Sequence, residues 1–125
     1  MVGTITVLIT DDHEKIRRSI RTLLEQNLDM RVVGEAKNGL EAIRLLAELN
    51  PDILILDIQM PEMDGIGVLD WIQKTRCRVT TVILSNINDR IVRQEAARYG
   101  VSEYLLKEQG PTLLVGAVRN AAQRL

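Results

Sequence analysis

Polar side chains stand directly after four of the five short apolar runs in this chain. They are three carboxylates, one hydroxyl and one ammonium group, on Asp11, Asp12, Asp57, Ser85 and Lys107. Carboxylates brought together repel by about 4 kcal/mol per pair at about 4 Å and an effective dielectric constant of about 20. Either their pKa values rise or a hard divalent cation binds among them, and oxygen ligands favour Mg²⁺ over Zn²⁺. A lysine and a hydroxyl facing that cation predict a site for a phosphoryl group.

Each of these residues also has a simpler interpretation. A single Asp at the end of a strand commonly caps the next helix, and Asp12 could have only that role. A single Lys or Ser at such a position is commonly solvated. Their joint placement after four different runs favours a binding site over a set of helix caps.

The apolar runs predict the strands that must position these residues. Ile53 to Leu56 and Thr81 to Leu84 do not alternate apolar with polar residues, which indicates strands buried on both faces of a parallel sheet. The other predicted strands are Ile5 to Ile9, Arg31 to Val33 and Tyr104 to Leu106.

Amphipathic stretches between the runs predict five helices. Asn38 followed by Glu41 is close to a capping box at the start of the second helix. Other predicted boundaries are Asn50-Pro51 after the second helix, Gly100 after the fourth and Pro111 in the first turn of the fifth. Five such units predict one doubly wound α/β domain over residues 1–125, whose ligand site lies beyond the carboxyl ends of the strands.

The composition excludes several functional classes. With 46% hydrophobic and 26% charged residues, the 125-residue chain is typical of one soluble globular domain. A net charge of -1 provides no basic field for nucleic acid or a membrane surface. No run approaches the ~20 apolar residues of a membrane span, and the first residues lack the pattern of a signal peptide. The single cysteine, Cys77, excludes an internal disulfide and is interpreted as an inert packing residue, so we expect a cytoplasmic protein.

These motifs resemble the receiver domains of bacterial two-component response regulators. The resemblance covers essentially the whole chain and rests on Asp11-Asp12, the stretch Leu56-Asp57-Ile58-Gln59-Met60-Pro61, Asp64-Gly65, Ser85, and Tyr104 three residues before Lys107. It implies a flavodoxin-like fold with a five-stranded parallel sheet in the order 2-1-3-4-5 and five helices.

The resemblance also implies a role for each acidic residue. Asp57 would be the phosphoacceptor, attacking the phosphohistidine of a sensor histidine kinase. Asp12, Asp57 and the backbone carbonyl of Gln59 would bind Mg²⁺, and Asp11 would act on the ion through water. The protein would catalyse only its own phosphorylation and dephosphorylation, and would not be an enzyme acting on other substrates.

The remaining motif residues would hold the phosphoryl group and report its presence. Ser85 and Lys107 would bind the transferred group, and Tyr104 would be the switch aromatic, although it could be an ordinary strand aromatic. Phosphorylation would change a protein-interaction surface and could promote a homodimer through the fourth or fifth helix.

Two segments, Asp11-Asp12-His13 and Val32 to Ala36, look most like the nitrate-response, or LuxR-type, subfamily. That resemblance implies control of transcription through a C-terminal helix-turn-helix domain. We find no such effector domain in the sequence, so DNA binding is expected only through a domain that the sequence lacks.

The chain departs from the family pattern near the phosphoryl site. Glu108 follows the lysine where many members have Pro, and Asn86 is larger than the small residue common after the hydroxyl. Gln59 and the apolar Ile87 stand where side chains help to place the hydrolytic water, which predicts a long-lived phosphorylated state.

Other functions compete with this interpretation. An aspartyl-phosphate phosphatase usually has a second Asp two residues after the nucleophile, where this chain has Gln59. A nucleotide hydrolase would need a Gly-rich phosphate loop after the first strand. A degenerate receiver that only binds partners is the third alternative, and the complete acidic set disfavours it.

Several residues have plainer interpretations. His13 is expected to be exposed and Trp71 to pack. The basic cluster of Lys15, Arg17, Arg18 and Arg21 either forms a solvated face or docks an acidic kinase surface.

Overall fold

Five parallel strands form the centre of the fold, in the order β2-β1-β3-β4-β5. The computed structural model describes residues 3–109 and 111–124, without the side chain of Pro111. The strands are β1 (Ile5–Thr10), β2 (Met30–Ala36), β3 (Ile53–Leu56), β4 (Thr80–Ser85) and β5 (Glu103–Leu106). The predicted strand order and fold class are confirmed.

Five helices connect and flank the strands. They are α1 (Glu14–Glu25), α2 (Gly39–Leu49), α3 (Gly65–Thr75), α4 (Arg90–Arg98) and α5 (Pro111–Ala122), with a 3₁₀ turn at Lys107–Gln109. The Asn38 side chain accepts a hydrogen bond from the Glu41 N–H at 2.8 Å, as predicted for the start of α2. The Glu41 carboxylate accepts from the Lys37 N–H, one residue before its place in a standard capping box. Asn50 ends α2 in a left-handed conformation, with φ of 46°.

The sheet is buried on both faces, which explains the continuous apolar runs. On one face the core contains Ile9 of β1, Leu24 of α1 and Val118 of α5. On the other it contains Leu8 of β1 and residues of α2, α3 and α4 such as Leu46. Every residue of β3 is at most 1% exposed, so this strand has no solvated side to alternate with. Among the described residues, no helix combines the length and the apolar character needed to cross a bilayer.

Strand β2 is longer than the sequence predicts, seven residues instead of three. Val7 pairs with Val32 and the next residue, Leu8, pairs with Gly34, so Val33 is an extra residue that makes a bulge. A Cβ at position 34 would lie 2.9 Å from a methyl group of Leu49, which is why the close packing of α2 on this strand suits glycine. Because of the bulge and the Gly-Glu-Ala ending, the second half of β2 lacks the apolar pattern by which a strand is predicted from sequence.

Candidate functional site

The carboxyl edge of the sheet brings the predicted polar residues together. Thr10 of β1 pairs with Leu56 of β3, so the next residues in each chain segment, Asp11 and Asp57, leave the sheet side by side. Ser85 of β4 pairs with Leu106 of β5, which directly precedes Lys107. The topology therefore places residues from four strands at one edge, as the sequence predicts.

Lys107 joins two buried carboxylates at this edge. Its Nζ lies 2.7 Å from Asp11 Oδ2 and 3.1 Å from Asp57 Oδ2. The side chains of Asp11 and Asp57 are only 2% and 5% exposed, and that of Lys107 is 11% exposed. One ammonium group thus links β1, β3 and the end of β5 in a water-poor setting, where charge interactions are strong.

The Lys107 Nζ lies closer to Asp11 than to Asp57. Burial raises the pKa of Asp57, the nearby Asp11 carboxylate raises it further, and Lys107 only partly opposes them. For Lys107, burial lowers the pKa, but the hydrogen bond to Asp11 and the charges of both carboxylates outweigh it, and the net shift is upward. The surroundings therefore favour the charged form of Lys107, whereas Lys107 only partly compensates the negative charge of the Asp57 carboxylate.

Asp12 has no capping role in the structure. The N-cap of α1 is His13, and its side chain makes no capping hydrogen bond. The His13 N–H donates to Asp11 Oδ1 at 2.9 Å, while its ring Nδ1 lies 3.1 Å from Asp12 Oδ1. His13 is exposed, as predicted. It is not among the metal ligands predicted from the sequence, although its position directly after two Asp residues indicates one.

The donor atoms at this edge fit a hard divalent cation. Asp11, Asp12 and His13 offer ligand atoms within 4.8 Å of one another, the only such group within the described residues 3–109 and 111–124. Asp57 adds a carboxylate on the neighbouring strand, so Lys107 balances only one of three carboxylates. Gln59 is exposed beside them, and its N–H donates to Asp57 Oδ1 at 3.3 Å. Oxygen donors with surplus negative charge are what Mg²⁺ prefers.

Ser85 and Tyr104 both bind the main chain of Ile87. The fully buried Ser85 accepts a hydrogen bond at Oγ from the Ile87 N–H, at 3.1 Å. The Tyr104 hydroxyl donates to the Ile87 carbonyl oxygen at 2.7 Å. The Arg93 guanidinium lies 4.5 Å from the Tyr104 ring centroid, and burial raises the pKa of the Tyr104 hydroxyl. The predicted hydroxyl and aromatic residues are therefore connected through one residue of the β4–α4 loop.

The basic cluster of α1 is not simply a solvated face. Arg17 donates from Nη1 to the Asp11 carbonyl oxygen at 2.8 Å and from Nε to Glu35 Oε1 at 3.1 Å. Arg21 donates to the other Glu35 oxygen at 2.7 Å. Two of the four basic residues thus pack on β2, and Arg17 supports the β1–α1 loop. Sequence spacing gave no signal for this, because Glu35 belongs to the part of β2 that was not predicted.

The remaining sequence interpretations concern packing. Trp71 and Cys77 are half-buried against the core face covered by α2, α3 and α4. Burial raises the pKa of the Cys77 thiol, which disfavours its reactive thiolate form.

Comparison with known proteins identifies the class. The family profile described as the response regulator receiver domain matches residues 7–119. This chain belongs to the response regulator receiver domains, which are signalling switches of two-component systems.

Its relatives are of the NarL and LuxR type, as the sequence motifs predicted. The nitrate/nitrite response regulator protein NarL of Escherichia coli (strain K12) is 36% identical over 119 residues, which cover 94% of this chain and 54% of that protein. The response regulator protein VraR of Staphylococcus aureus (strain Mu3) is 36% identical over 121 residues, covering 96% of this chain and 57% of that protein. This chain spans about half the length of these relatives.

A solved structure supports the same relationship. The signal receiver domain of a NarL response regulator from Mycobacterium tuberculosis superimposes with a TM-score of 0.92 at 29% identity. The match covers 97% of this chain and 98% of that one. The fold and the family are therefore established by sequence and by structure.

Proposed function

We propose that this chain is a phosphorylation-driven switch in which Asp57 accepts a phosphoryl group from the phosphohistidine of a sensor histidine kinase. The observation that carries the proposal is the Lys107 ammonium group lying between the buried carboxylates of Asp57 and Asp11. A carboxylate that is buried, incompletely compensated and beside a fixed cation is a suitable nucleophile for a phosphoryl group.

The transfer is a displacement at phosphorus. An Asp57 carboxylate oxygen forms a bond to phosphorus as the bond from phosphorus to the donor imidazole nitrogen breaks, and the imidazole leaves with that electron pair and gains a proton. Lys107, already within hydrogen-bond distance of Asp57, would donate to a phosphoryl oxygen.

Asp12, Asp57 and the Gln59 carbonyl would hold Mg²⁺, and Asp11 would act on the ion through water. When bound, the ion supplies positive charge to the phosphoryl oxygens. The acyl phosphate forms and hydrolyses on the chain itself, so the proposal includes no turnover of external substrates.

The conformational change at the site would be transmitted through the main chain of Ile87. Phosphorylation replaces the single negative charge of the Asp57 carboxylate by a phosphoryl group that carries about -1.5 to -2 charges, and it adds new acceptor oxygens beside the Ser85 hydroxyl. If Ser85 turns toward the phosphoryl group, its hydrogen bond from the Ile87 N–H is lost. The β4–α4 loop can then move, and Tyr104, bound to the same residue, can repack. The changed surface would include the α4–β5 region and could promote a homodimer.

The output follows from the subfamily. We propose that residues 1–125 form the receiver domain of a cytoplasmic transcription regulator. DNA would be bound by a C-terminal helix-turn-helix domain, as expected for the LuxR type, and not by this domain, whose net charge is -1.

Intact mass spectrometry tests the acceptor. With acetyl phosphate and Mg²⁺, wild type should gain one base-labile phosphoryl group and Asp57→Asn should gain none. Asp70→Asn is the matched control, because Asp70 lies on α3 in an exposed ion pair with Lys74. Equal labelling of Asp57→Asn and wild type would move the site elsewhere.

A second experiment tests the metal. Asp12→Ala should weaken Mg²⁺ binding and slow phosphorylation together, since Asp12 caps no helix and its loss leaves the fold intact. Phosphorylation that proceeds unchanged in excess chelator would contradict the metal's role.

Beryllofluoride, a phosphoryl mimic, tests the switch. It should shift NMR signals of Ser85, Ile87 and the region from Tyr104 to Glu108. Shifts confined to Asp57 and its immediate neighbours would contradict transmission through Ile87.

The lifetime of the acyl phosphate depends on the water that attacks it. Gln59 and Ile87 line the same surface depression, together with Asp64 and with Ile58, the residue that follows Asp57. Ile87 offers the water no side-chain hydrogen bond, so the phosphorylated state should last minutes or longer, and Ile87→Glu should shorten it. Decay within seconds in wild type, or no acceleration in the variant, would show that these side chains do not control the water.

A further inference from the structure

The β3–α3 loop contains two consecutive residues in an unfavourable conformation. Glu62 and Met63 have φ angles of 54° and 96°, in the left-handed region that residues with a Cβ rarely adopt. Such a conformation persists only where surrounding contacts hold it. The same loop carries Gln59, whose backbone carbonyl is a proposed Mg²⁺ ligand.

The N-terminus of α2 contacts both of these residues. The Gly39 N–H donates to the Met63 carbonyl oxygen at 3.1 Å. A Cβ at position 39 would overlap that oxygen and lie 2.8 Å from Met63 Cβ, so only glycine permits the contact. The preceding Asn38, only 9% exposed, donates from Nδ2 to Glu62 Oε2 at 3.3 Å.

The other end of the loop is fixed to the sheet. The Gly65 N–H donates to the Ile58 carbonyl oxygen at 2.8 Å, and a Cβ at position 65 would lie 2.5 Å from the Asp57 carbonyl oxygen. The loop is therefore closed at its base by Gly65 and held at its tip by α2. Any movement of the tip must be taken up by the intervening residues, which include Gln59.

We propose that Asn38 and Gly39 are positioning residues for the metal site. They act through Glu62 and Met63 to hold the β3–α3 loop where the Gln59 carbonyl can serve the cation beside Asp57. The inference rests on the proposed function, and it extends the site to an element that contributes no ligand.

Asn38→Asp separates this role from helix capping. The new side chain keeps an oxygen that can accept from the Glu41 N–H, so α2 remains capped. It loses the amide that donates to Glu62 and places two carboxylates face to face. Mg²⁺ affinity should fall by about 10-fold, the lower end of the range for residues that act behind a ligand. The added negative charge alone would raise Mg²⁺ affinity, so a fall cannot be a simple charge effect.

Glu62→Gln provides the control and the rescue. Alone, it leaves an oxygen that accepts from Asn38 and should bind Mg²⁺ nearly as wild type does. Combined with Asn38→Asp, its amide can donate to the new carboxylate, so the pair is restored in reverse with the wild-type net charge. The double variant should recover most of the lost Mg²⁺ affinity and the wild-type amide shifts of residues 58–64.

Gly39→Ala tests the backbone contact. It should weaken Mg²⁺ binding and shift the Gln59 amide signal, whereas Gly116→Ala, where a Cβ meets nothing within 4 Å, should do neither. NMR titration with MgCl₂ measures affinity and loop position, and urea unfolding measures stability.

The outcomes separate the two proposals. If Asn38→Asp and Gly39→Ala lose only stability, with Mg²⁺ affinity and Gln59 shifts unchanged, the residues are merely structural and this inference is wrong. If wild type itself neither binds Mg²⁺ nor accepts a phosphoryl group, the proposed function fails, while the shifts of residues 58–64 in these variants still report loop position.

Discussion

The two loops that present oxygen atoms at the acidic edge are held in place by different physical means. The β1–α1 loop is held by charge, because Arg17 donates both to the Asp11 carbonyl oxygen and to Glu35 on β2. The β3–α3 loop is held by close backbone contacts, in which Gly39 and Gly65 admit main-chain atoms where a side chain would collide.

The difference teaches which changes each loop can tolerate. The Arg17 contacts depend on the forked geometry and charge of one guanidinium, so they respond to substitution at either partner and to salt. The glycine contacts involve no charge and should be insensitive to salt. They fail when a single methyl group is added, because the colliding atoms belong to the backbone and cannot rotate away.

The largest effect is expected at the base of the β3–α3 loop. In Gly65→Ala the new Cβ would lie 2.5 Å from the Asp57 carbonyl oxygen and 2.8 Å from Ile58 Cα. Overpacking of this kind costs about 3 kcal/mol of unfolding free energy or more. Gly116→Ala should instead gain about 0.5–1 kcal/mol, as an exposed helical glycine does. Urea denaturation measures the unfolding free energy of both variants. Similar values for the two variants would contradict the inference that close backbone contacts hold the β3–α3 loop.

A smaller effect is expected in the charged loop. Arg17→Met keeps much of the side-chain length but loses the hydrogen bonds, so it should cost about 1–2 kcal/mol of unfolding free energy. The neighbouring Arg18→Met is the matched control, because within the described part of the chain Arg18 makes only an exposed i,i+4 pair with Glu14, and it should change stability by at most about 0.5 kcal/mol.

Salt sharpens this prediction. Raising the NaCl concentration should reduce the difference between wild type and Arg17→Met, and leave that between wild type and Gly65→Ala unchanged. A salt-independent Arg17 effect would mean that packing of its aliphatic stem, and not its charge, supports the loop.

The smallest effect is expected at the ion pair of Arg119 and Asp29, which lies far from both loops. It measures how much an exposed ion pair contributes to the stability of this fold. The hydrogen bond from Arg119 lowers the pKa of Asp29, and slight burial only partly opposes it. The stabilisation is therefore present above the unfolded-state pKa of Asp29 and is lost as the pH falls through the lower folded-state pKa. Arg119→Gln should lower the urea midpoint slightly at neutral pH and less in strong acid, where only the hydrogen bond from Arg119 to the Asn27 side chain remains. If the difference in urea midpoint between wild type and Arg119→Gln grew on acidification, the predicted direction of the pH dependence would be wrong.

The convergence at the sheet edge could be predicted because it depends only on strand order and on the residue type at the end of each strand. Asp57 and Lys107 are 50 residues apart, yet both stand directly after a strand, and parallel strands end at one edge. The phosphoacceptor role of Asp57 stays a prediction, since geometry places the residue without testing its chemistry.

The supports of the two loops could not be predicted. Arg17 and Glu35 meet only because β2 lies beside β1, and the bulge at Val33 hides the strand segment that carries Glu35. Asn38 and Glu62 meet across 24 residues through a loop whose left-handed backbone has no signature in residue type. Both contacts depend on how elements pack after the sheet has formed, and local sequence patterns do not contain that information.

The double engagement of Ile87 has a consequence for how such proteins diversify. Its N–H and its carbonyl oxygen, and not its side chain, make the bonds to Ser85 and Tyr104. Any residue except proline offers the same two groups. The side chain at position 87, which packs partly buried against the core and lines the depression shared with Gln59, can therefore be exchanged without removing the link between the Ser85 hydroxyl and Tyr104. Under the proposed function, the side chain of Ile87 influences the lifetime of the phosphorylated state and its main chain links Ser85 to Tyr104, so the two properties can change independently.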